Sequence, residues 1–398
     1  MLFQALDDKE HCVGIYCGDS LIYGDVPQGL TKTWNYKPAF DNGKIEYAQL
    51  YVGGRSLRDA CPENILPHLD DVESKLKAFI NSFIQSGVSL EENCFYDLVP
   101  SRFLEEYCEV KNLICEHVFE NISKPENYKF MVDLARVVSK IEQRKLNINP
   151  DVLKSEIHKT KARTFWKKML NTSPEIRYNI FGTKTGRLTT KKNSFPILTM
   201  DKDFRKVIRP QNDWFVELDF NAAELRTLLA LSGSEQPSED LHEWNMRNVY
   251  GDRLNREEAK KRIFAWLYNP ESTDDLSAAA YNRTGVVQKY FTGEQVRTIF
   301  DRTIPADEHH ALNYIIQSTT SDLLLRQMLK VDGFLDNKKS FVSFCIHDNL
   351  VLDMTEDECY NIRDIINMFS DTALGKYKVN VRVGKNFGDM KEIKNANI

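Results

Sequence analysis

The stretch that most constrains this chain is Trp214 to Gly233, WFVELDFNAAELRTLLALSG. Phe215-Val216-Glu217-Leu218 reads as a core strand, and Ala222 to Leu231 repeats its apolar residues at helical spacing. A strand fed through so short a joint into a helix fixes where the chain must turn, and Asp219 stands at that joint. A carboxylate at the exit of a buried strand has a stiff support and faces a cleft, which suits a metal ligand. Glu224 and Arg226 follow on the first helical turns, within reach of the same cleft. Two readings stay open here: Asp219 as a ligand, or Asp219 as a helix cap with Glu224 favouring the positive helix end.

Two later segments bear on the choice. Phe341 to Met354, FVSFCIHDNLVLDM, is a pair of apolar runs interrupted by His347-Asp348-Asn349, which reads as a β-hairpin with an acidic tip. Asp348 is then a second strand-borne carboxylate. Between the two lies Asn255 to Asn269, a helical stretch with Asn255 as N-cap and Glu258 as its capping partner. Arg256, Lys260, Phe264 and Tyr268 recur every four residues and form one stripe. Two cations followed by two aromatics on one face suit a nucleotide, the cations meeting phosphates and the aromatics sugar and base. Phe264 and Trp266 argue that this helix faces something other than solvent.

This order of segments resembles the three polymerase motifs of family A DNA polymerases, the DNA polymerase I-like enzymes. Thr185-Gly186-Arg187-Leu188-Thr189 is similar to that family's Thr-Gly-Arg-Leu-Ser segment, and Asn313, Gln317 and Asp322 precede the hairpin as they do there. The ending Val383-Gly384-Lys385-Asn386-Phe387-Gly388 is similar to the family's closing strand, so the resemblance runs from about Phe130 to Met390. It implies an α+β, right-hand polymerase fold of the compact bacteriophage type. The expected parts are an N-terminal α/β domain over 1–128, a reduced thumb and the start of the palm over 129–186, palm over 187–238, helical fingers over 239–306 and the rest of the palm over 307–398.

The resemblance also assigns roles. Asp219 and Asp348 are the expected catalytic residues and metal ligands, with the Phe220 carbonyl beside them, for two Mg²⁺ ions that Mn²⁺ can replace. Arg256 and Lys260 are expected to hold the dNTP triphosphate, Phe264 its sugar, and Tyr268 the templating position. Glu224 is the expected steric gate against ribonucleotides, and His242 in Asp240-Leu241-His242 a phosphate contact. Arg187, Asn313 and Gln317 are expected to read the minor groove of primer–template DNA, and Arg226 and His347 to touch DNA as well. Phenylalanine rather than tyrosine at 264 implies that dideoxynucleotides are disfavoured.

The chain departs from the family pattern in places. Asn349 stands where a glutamate completes His-Asp-Glu, which removes a charge near the metals and implies slower turnover. Asn269-Pro270 replaces a glycine, His309 an arginine and Phe220 a tyrosine. Two rival readings follow: a single-subunit RNA polymerase, opposed by Glu224 and Phe264, and a catalytically weak or inactive DNA-binding replication subunit, opposed by the two aspartates.

Composition bounds the rest. The 398 residues, 42% hydrophobic and 28% charged, allow two or three globular domains. No apolar run approaches the roughly 20 residues that span a bilayer, and the acidic start MLFQALDDKEHC lacks a secretory layout, so a cytoplasmic protein without membrane partners is expected. Eight cysteines (Cys12, Cys17, Cys61, Cys94, Cys108, Cys115, Cys345 and Cys359) show no paired spacing and read as reduced structural thiols rather than a zinc site. The net charge of −5 hides an excess of eleven positive charges between Lys159 and Arg209, directly before the catalytic strand. Such a run suits a phosphate-tracking wall.

The region before Phe130 lies outside the resemblance. Cys12 to Gly24 and Ile45 to Gly53 are predicted as strands with turns at Gly18-Asp19 and Gly53-Gly54, and Asp70 to Ser86 as an amphipathic helix. Many family A polymerases carry a proofreading exonuclease here, built on an Asp-x-Glu in its first strand. Asp71-Val72-Glu73 has that spacing but falls at a helix start, where acidic residues are expected anyway, so no proofreading is expected. The domain then reads as a degenerate exonuclease or a docking domain. Only Asp151 to Lys184 is left for a thumb, which implies low processivity unless the N-terminal domain or a partner protein closes over the DNA.

Overall fold

The structure is a computed structural model and describes residues 1–7, 14–25, 27–34, 45–47, 51–52, 54–269 and 271–393. It divides into two compact units, Met1–Val132 and Asp133–Ile398. No helix among the described residues is long and apolar enough to cross a membrane.

The first unit is built on a five-stranded mixed sheet. Strand β1 (Leu2–Leu6) pairs antiparallel with β2 (Gly14–Cys17), which pairs with β3 (Ser20–Ile22). On its other edge β1 runs parallel to β4 (Lys32–Thr33), and β4 to β5 (Glu46–Tyr47). The order β3-β2-β1-β4-β5 puts β1 at the centre, which explains why it is buried on both faces. Gly18 and Asp19 both take positive φ, 57° and 60°, as a two-residue hairpin turn requires. Helices α1 (Leu66–Gln85) and α2 (Ser101–Asn121) pack together through Leu69, Val72, Phe103, Leu104 and Ile114. Helix α1 starts a turn earlier than its apolar spacing predicts, because Pro67 is accommodated in the first turn. Of the expected strand ends and turn, Cys12 and Gly53 lie outside the described residues.

Helix α3 (Tyr128–Gln143) contains the unit boundary and ends before Asn147-Ile148-Asn149-Pro150. The stretch expected as a reduced thumb holds a 3₁₀ turn at Pro150–Glu156 and one helix, Thr160–Leu170.

The second unit is organised by an antiparallel five-stranded sheet. Its central strand β6 (Trp214–Phe220) lies between β8 (Asn349–Met354) and β9 (Val379–Gly384), with β7 (Phe341–Ile346) and β10 (Lys391–Glu392) at the edges. Residues alternate across such a strand. Phe215, Glu217 and Asp219 share one face, where Phe215 meets Phe344 and Phe387 at ring separations of 5.7 and 6.5 Å. Val216, Leu218 and Phe220 point the other way, and Phe220 stacks on Phe369 of α7 (Ile362–Ser370) at 4.4 Å.

Beyond β6, Ala222 adopts the left-handed conformation (φ 52°, ψ 48°) and caps α4 (Ala223–Leu231). A non-glycine residue there costs about 1–2 kcal/mol, and the turn aims α4 back along the sheet. Ala222 is thus the cap, and Asp219 stays in the strand. Helix α5 (Arg256–Tyr268) opens on the predicted capping box of Asn255 and Glu258. The 27-residue α6 (Glu308–Phe334) packs on α4 and α7. Its buried Thr320 bonds Thr227 at 2.9 Å, and Tyr377 donates to Thr227 at 3.1 Å.

All seven described cysteines are thiols, and Cys12 lies outside the described residues. Burial pushes Cys108, Cys115 and Cys345 up to about 12, so they act as packing groups.

Candidate active site

The register of the sheet brings the two expected carboxylates together. Asp219 lies directly opposite Asn349, and Asp348 precedes Asn349 in the turn joining β7 to β8. Burial is the main force raising the Asp219 carboxyl, to about 6; the negative charges of Glu217 and Asp348 add to it, against a hydrogen bond from Asn380 Nδ2 at 3.2 Å. A buried carboxylate pushed up beside another carboxylate is a place where a divalent cation is favoured. Among the described residues, no three or more histidine, cysteine or carboxylate side chains are arranged to hold an ion. Remaining ligands would have to come from carbonyls, water or a phosphate-bearing ligand. Phe220 ends β6 opposite Val379, and its stacked ring fixes the strand end that carries the expected carbonyl ligand.

A second cluster forms one turn into α4. Glu224 accepts from Arg187 Nη2 at 2.8 Å and from the Tyr268 hydroxyl. Burial raises the Glu224 carboxyl and the Tyr268 phenol. Two residues from sequence-distant motifs therefore meet on the carboxylate of a third. Tyr268 stacks on Phe264 at 6.2 Å, which extends the aromatic surface along α5.

Arg256 is engaged already. Its guanidinium donates to Asp240 at 2.9 and 3.3 Å and to Glu257 at 2.9 Å. The Asp240 carboxylate also accepts from Asn221 Nδ2 at 2.8 Å and from the backbone N–H groups of His242 and Glu243 at 2.9 Å. Despite its burial this set of donors holds Asp240 well below the usual carboxylate range. Lys260 is exposed one turn further along α5. Trp266 is buried on the opposite face with Ala259, Ile263 and Leu267, so it belongs to the core rather than to the stripe from Arg256 to Tyr268.

Asn313 and Gln317 are half-buried on one face of α6. Asn313 Oδ1 is buried with no hydrogen-bond partner among the described residues, and Asn313 lines a cavity of about 200 Å³ with Tyr268, Arg283 and His309. Arg283 closes the end of α5, donating to the carbonyls of Trp266 and Asn269 at 2.6 and 3.0 Å. Pro270, expected to alter that helix end, lies outside the described residues. His347 is exposed at the hairpin tip with φ 51°.

One expectation needs correction. Arg226 is fully buried and donates to the carbonyls of Asn221, Pro237 and Glu239 at 2.7–2.8 Å, so it holds the turn after β6 and does not reach DNA. His242, expected to contact a phosphate, is 4% exposed and packs on Phe264 at 5.9 Å, and burial lowers its pKa to about 4, so a phosphate there would meet a neutral imidazole. Sequence reading also passed over two residues and one short segment: Glu217, buried in β6 beside Asp219; Asp240, whose cap position was the available signal; and the triplet Asp8-Lys9-Glu10. That triplet follows the central strand β1 and lies outside the described residues.

Two carboxylates thus stand at neighbouring strand ends of one sheet, and α5 carries the stripe of cations and aromatics. Residues 277–390 match the model of DNA polymerase family A. The thermostable DNA polymerase I of Thermus filiformis is 24% identical over 270 residues, covering 54% of this chain and 32% of its own. That of Thermus thermophilus is 26% identical over 228 residues, covering 44% and 27%. The chain thus spans about a third of the length of the curated relatives it matches. The polymerase domain of Pol1 from M. smegmatis, solved with DNA primer-template and dNTP, aligns with a TM-score of 0.57 at 12% identity, over 72% of this chain and 76% of that one. The fold is the right-hand polymerase fold of class α+β, and residues 277–390 are similar to DNA polymerase family A.

Proposed function

We propose that the chain is a DNA-directed DNA polymerase that adds dNTPs to a primer 3′ end by two-metal-ion nucleotidyl transfer during replication. The observation that carries this reading is the register of Asp219 against Asn349, which sets Asp348 beside Asp219 on a rigid sheet. Asp219 and Asp348, with the Phe220 carbonyl, would hold Mg²⁺ or Mn²⁺, which when bound would neutralise charge growing on the attacking and leaving oxygens. Arg256 and Lys260 would hold the triphosphate, Arg256 by exchanging Asp240 for phosphate. Phe264 would pack against the sugar and Tyr268 near the templating base. Glu224, fixed by Arg187 and Tyr268, would stand where a ribose 2′-hydroxyl projects. Asn313, Gln317, Arg187 and His347 would contact the primer–template.

The test is primer extension with dNTPs or NTPs in Mg²⁺, repeated on Asp219→Ala and Asp348→Ala. Extension with dNTPs that falls by at least about a thousandfold in both variants is expected, because the metal supports are lost. Extension that survives in both sinks the reading. Glu224→Ala should admit ribonucleotides, and unchanged sugar choice would refute the gate.

The proposal includes no proofreading. Asp71 and Glu73 are spent in surface ion pairs with Lys75 and Arg58, but Asp8-Lys9-Glu10 keeps the question experimental. Mismatched 3′ ends trimmed by the wild type and not by Asp8→Ala or Asp71→Ala would overturn it. Low processivity, scored as short products in the presence of trap DNA, follows from the single helix in the thumb stretch unless a partner protein supplies the grip.

A further inference from the structure

A buried ion pair lies beneath the sugar-gate cluster, away from the expected substrate contacts. Asp322 on α6, 2% exposed, accepts from Arg302 Nε at 3.0 Å and from Arg302 Nη2 at 2.6 Å. This is a two-bond fork of the kind that fixes a guanidinium in plane. Buried pairs are poor sources of net stability compared with apolar packing, which directs attention to what the guanidinium holds in place.

It holds a turn. Gly186 is buried and left-handed (φ 77°), and a Cβ there would collide with the Arg302 guanidinium. The Gly186 N–H donates to the Thr183 carbonyl at 3.3 Å, and the Thr183 hydroxyl to the Arg187 carbonyl at 2.9 Å. The next side chain in the sequence, Arg187, then reaches Glu224 at 2.8 Å. A continuous chain of contacts runs from α6 through Asp322, Arg302, the backbone of Gly186 and Arg187 to the gate carboxylate.

We propose that Arg302, clamped by Asp322, is a positioning residue for sugar discrimination: its planar guanidinium is the floor on which the Thr183–Arg187 turn rests, and so sets where Arg187 holds Glu224. The inference rests on the polymerase and gate reading above. Lysine at 302 would keep a charge for Asp322 but supply neither fork nor flat floor. Asparagine at 322 is isosteric and would leave the fork half-bonded.

The experiment measures kcat/KM for a matched dNTP and for its ribonucleotide on the full chain, in wild type, Arg302→Lys, Asp322→Asn, Arg187→Ala and Glu224→Ala, and in Arg302→Lys/Arg187→Ala. Thermal unfolding reports folding of each. The ratio of dNTP to rNTP use is expected to fall on the order of tenfold in Arg302→Lys and Asp322→Asn, the scale of a small misplacement of a positioning group. Adding Arg302→Lys to Arg187→Ala should change the ratio no further, since both act through one path. A folded Arg302→Lys or Asp322→Asn with the wild-type ratio, while Glu224→Ala relaxes it, overturns the inference and leaves the gate intact. Effects that simply add in the double variant also overturn it. An unchanged ratio in Glu224→Ala overturns the gate, and the inference with it. If Arg302→Lys does not fold, Asp322→Asn carries the same comparison.

Discussion

Glu217 Oε1 accepts a hydrogen bond of 2.6 Å from Asn349 Nδ2 across neighbouring strands, beside the Asp219–Asn349 pair. The bond gives the amide a direction. With Nδ2 committed to Glu217, Oδ1 is turned away from it. The adjacent strand thus sets a carboxylate, 3% exposed and on the same face as Asp219, against Asn349, with Arg382 Nη1 3.6 Å from its other oxygen.

Glu217→Gln removes the fixed direction, because an amide can pair with Asn349 either way round. We expect the extension rate to fall about tenfold and the Mg²⁺ requirement to rise, the range typical of residues that orient metal ligands. A Mg²⁺ titration of primer extension, with thermal unfolding as control, makes the comparison; superimposable titrations would show that the Glu217 charge is idle.

Arg226→Lys should act on stability. Three buried carbonyls lose the guanidinium that satisfies them, at a cost of about 3 kcal/mol, read as a lower denaturant midpoint. Affinity of the folded fraction for primer–template should be unchanged, since no Arg226 atom is exposed. A variant of native stability with weakened DNA binding would restore the surface role.

Acid should unfold the protein partly through His242. Its imidazole is lowered from 6.5 to about 4, chiefly by burial. Between those values the unfolded chain binds a proton that the folded chain does not, so stability is lost as pH falls. Asp219, raised from 3.8 to about 6, works the opposite way over much of that window. His242→Leu removes only the first effect. Relative to wild type, its melting temperature should be higher at about pH 5 than at about pH 7; the same difference at both would mean that His242 does not titrate there.

Much of this was legible because strand and helix periods differ. The Trp214–Gly233 joint, the Phe341–Met354 hairpin and the Asn255 capping box each follow from local spacing. So does the stripe from Arg256 to Tyr268. What escaped was set by burial and by distant partners. Arg226 sits where a helix surface could face a cleft, and only the returning loop at Pro237 and Glu239 shows that it points inward. Trp266 and His242 fell to the core for the same reason. Glu217 looked like an ordinary strand residue until the register put Asn349 next to it. Arg302 carries no motif of its own, and its link to Gly186 crosses more than a hundred residues of sequence.

On the proposed reading, in which Arg256 takes a triphosphate, its pairing with Asp240 makes nucleotide entry an exchange rather than an addition. An incoming triphosphate has to displace a carboxylate that is already well solvated by protein donors, so its affinity is the difference between two charge pairings. A ligand with one weak negative charge gains little from that trade, whereas a triphosphate can outbid the aspartate. On that reading the site carries its own competitor, which would favour charged, fully phosphorylated nucleotides before any base is read.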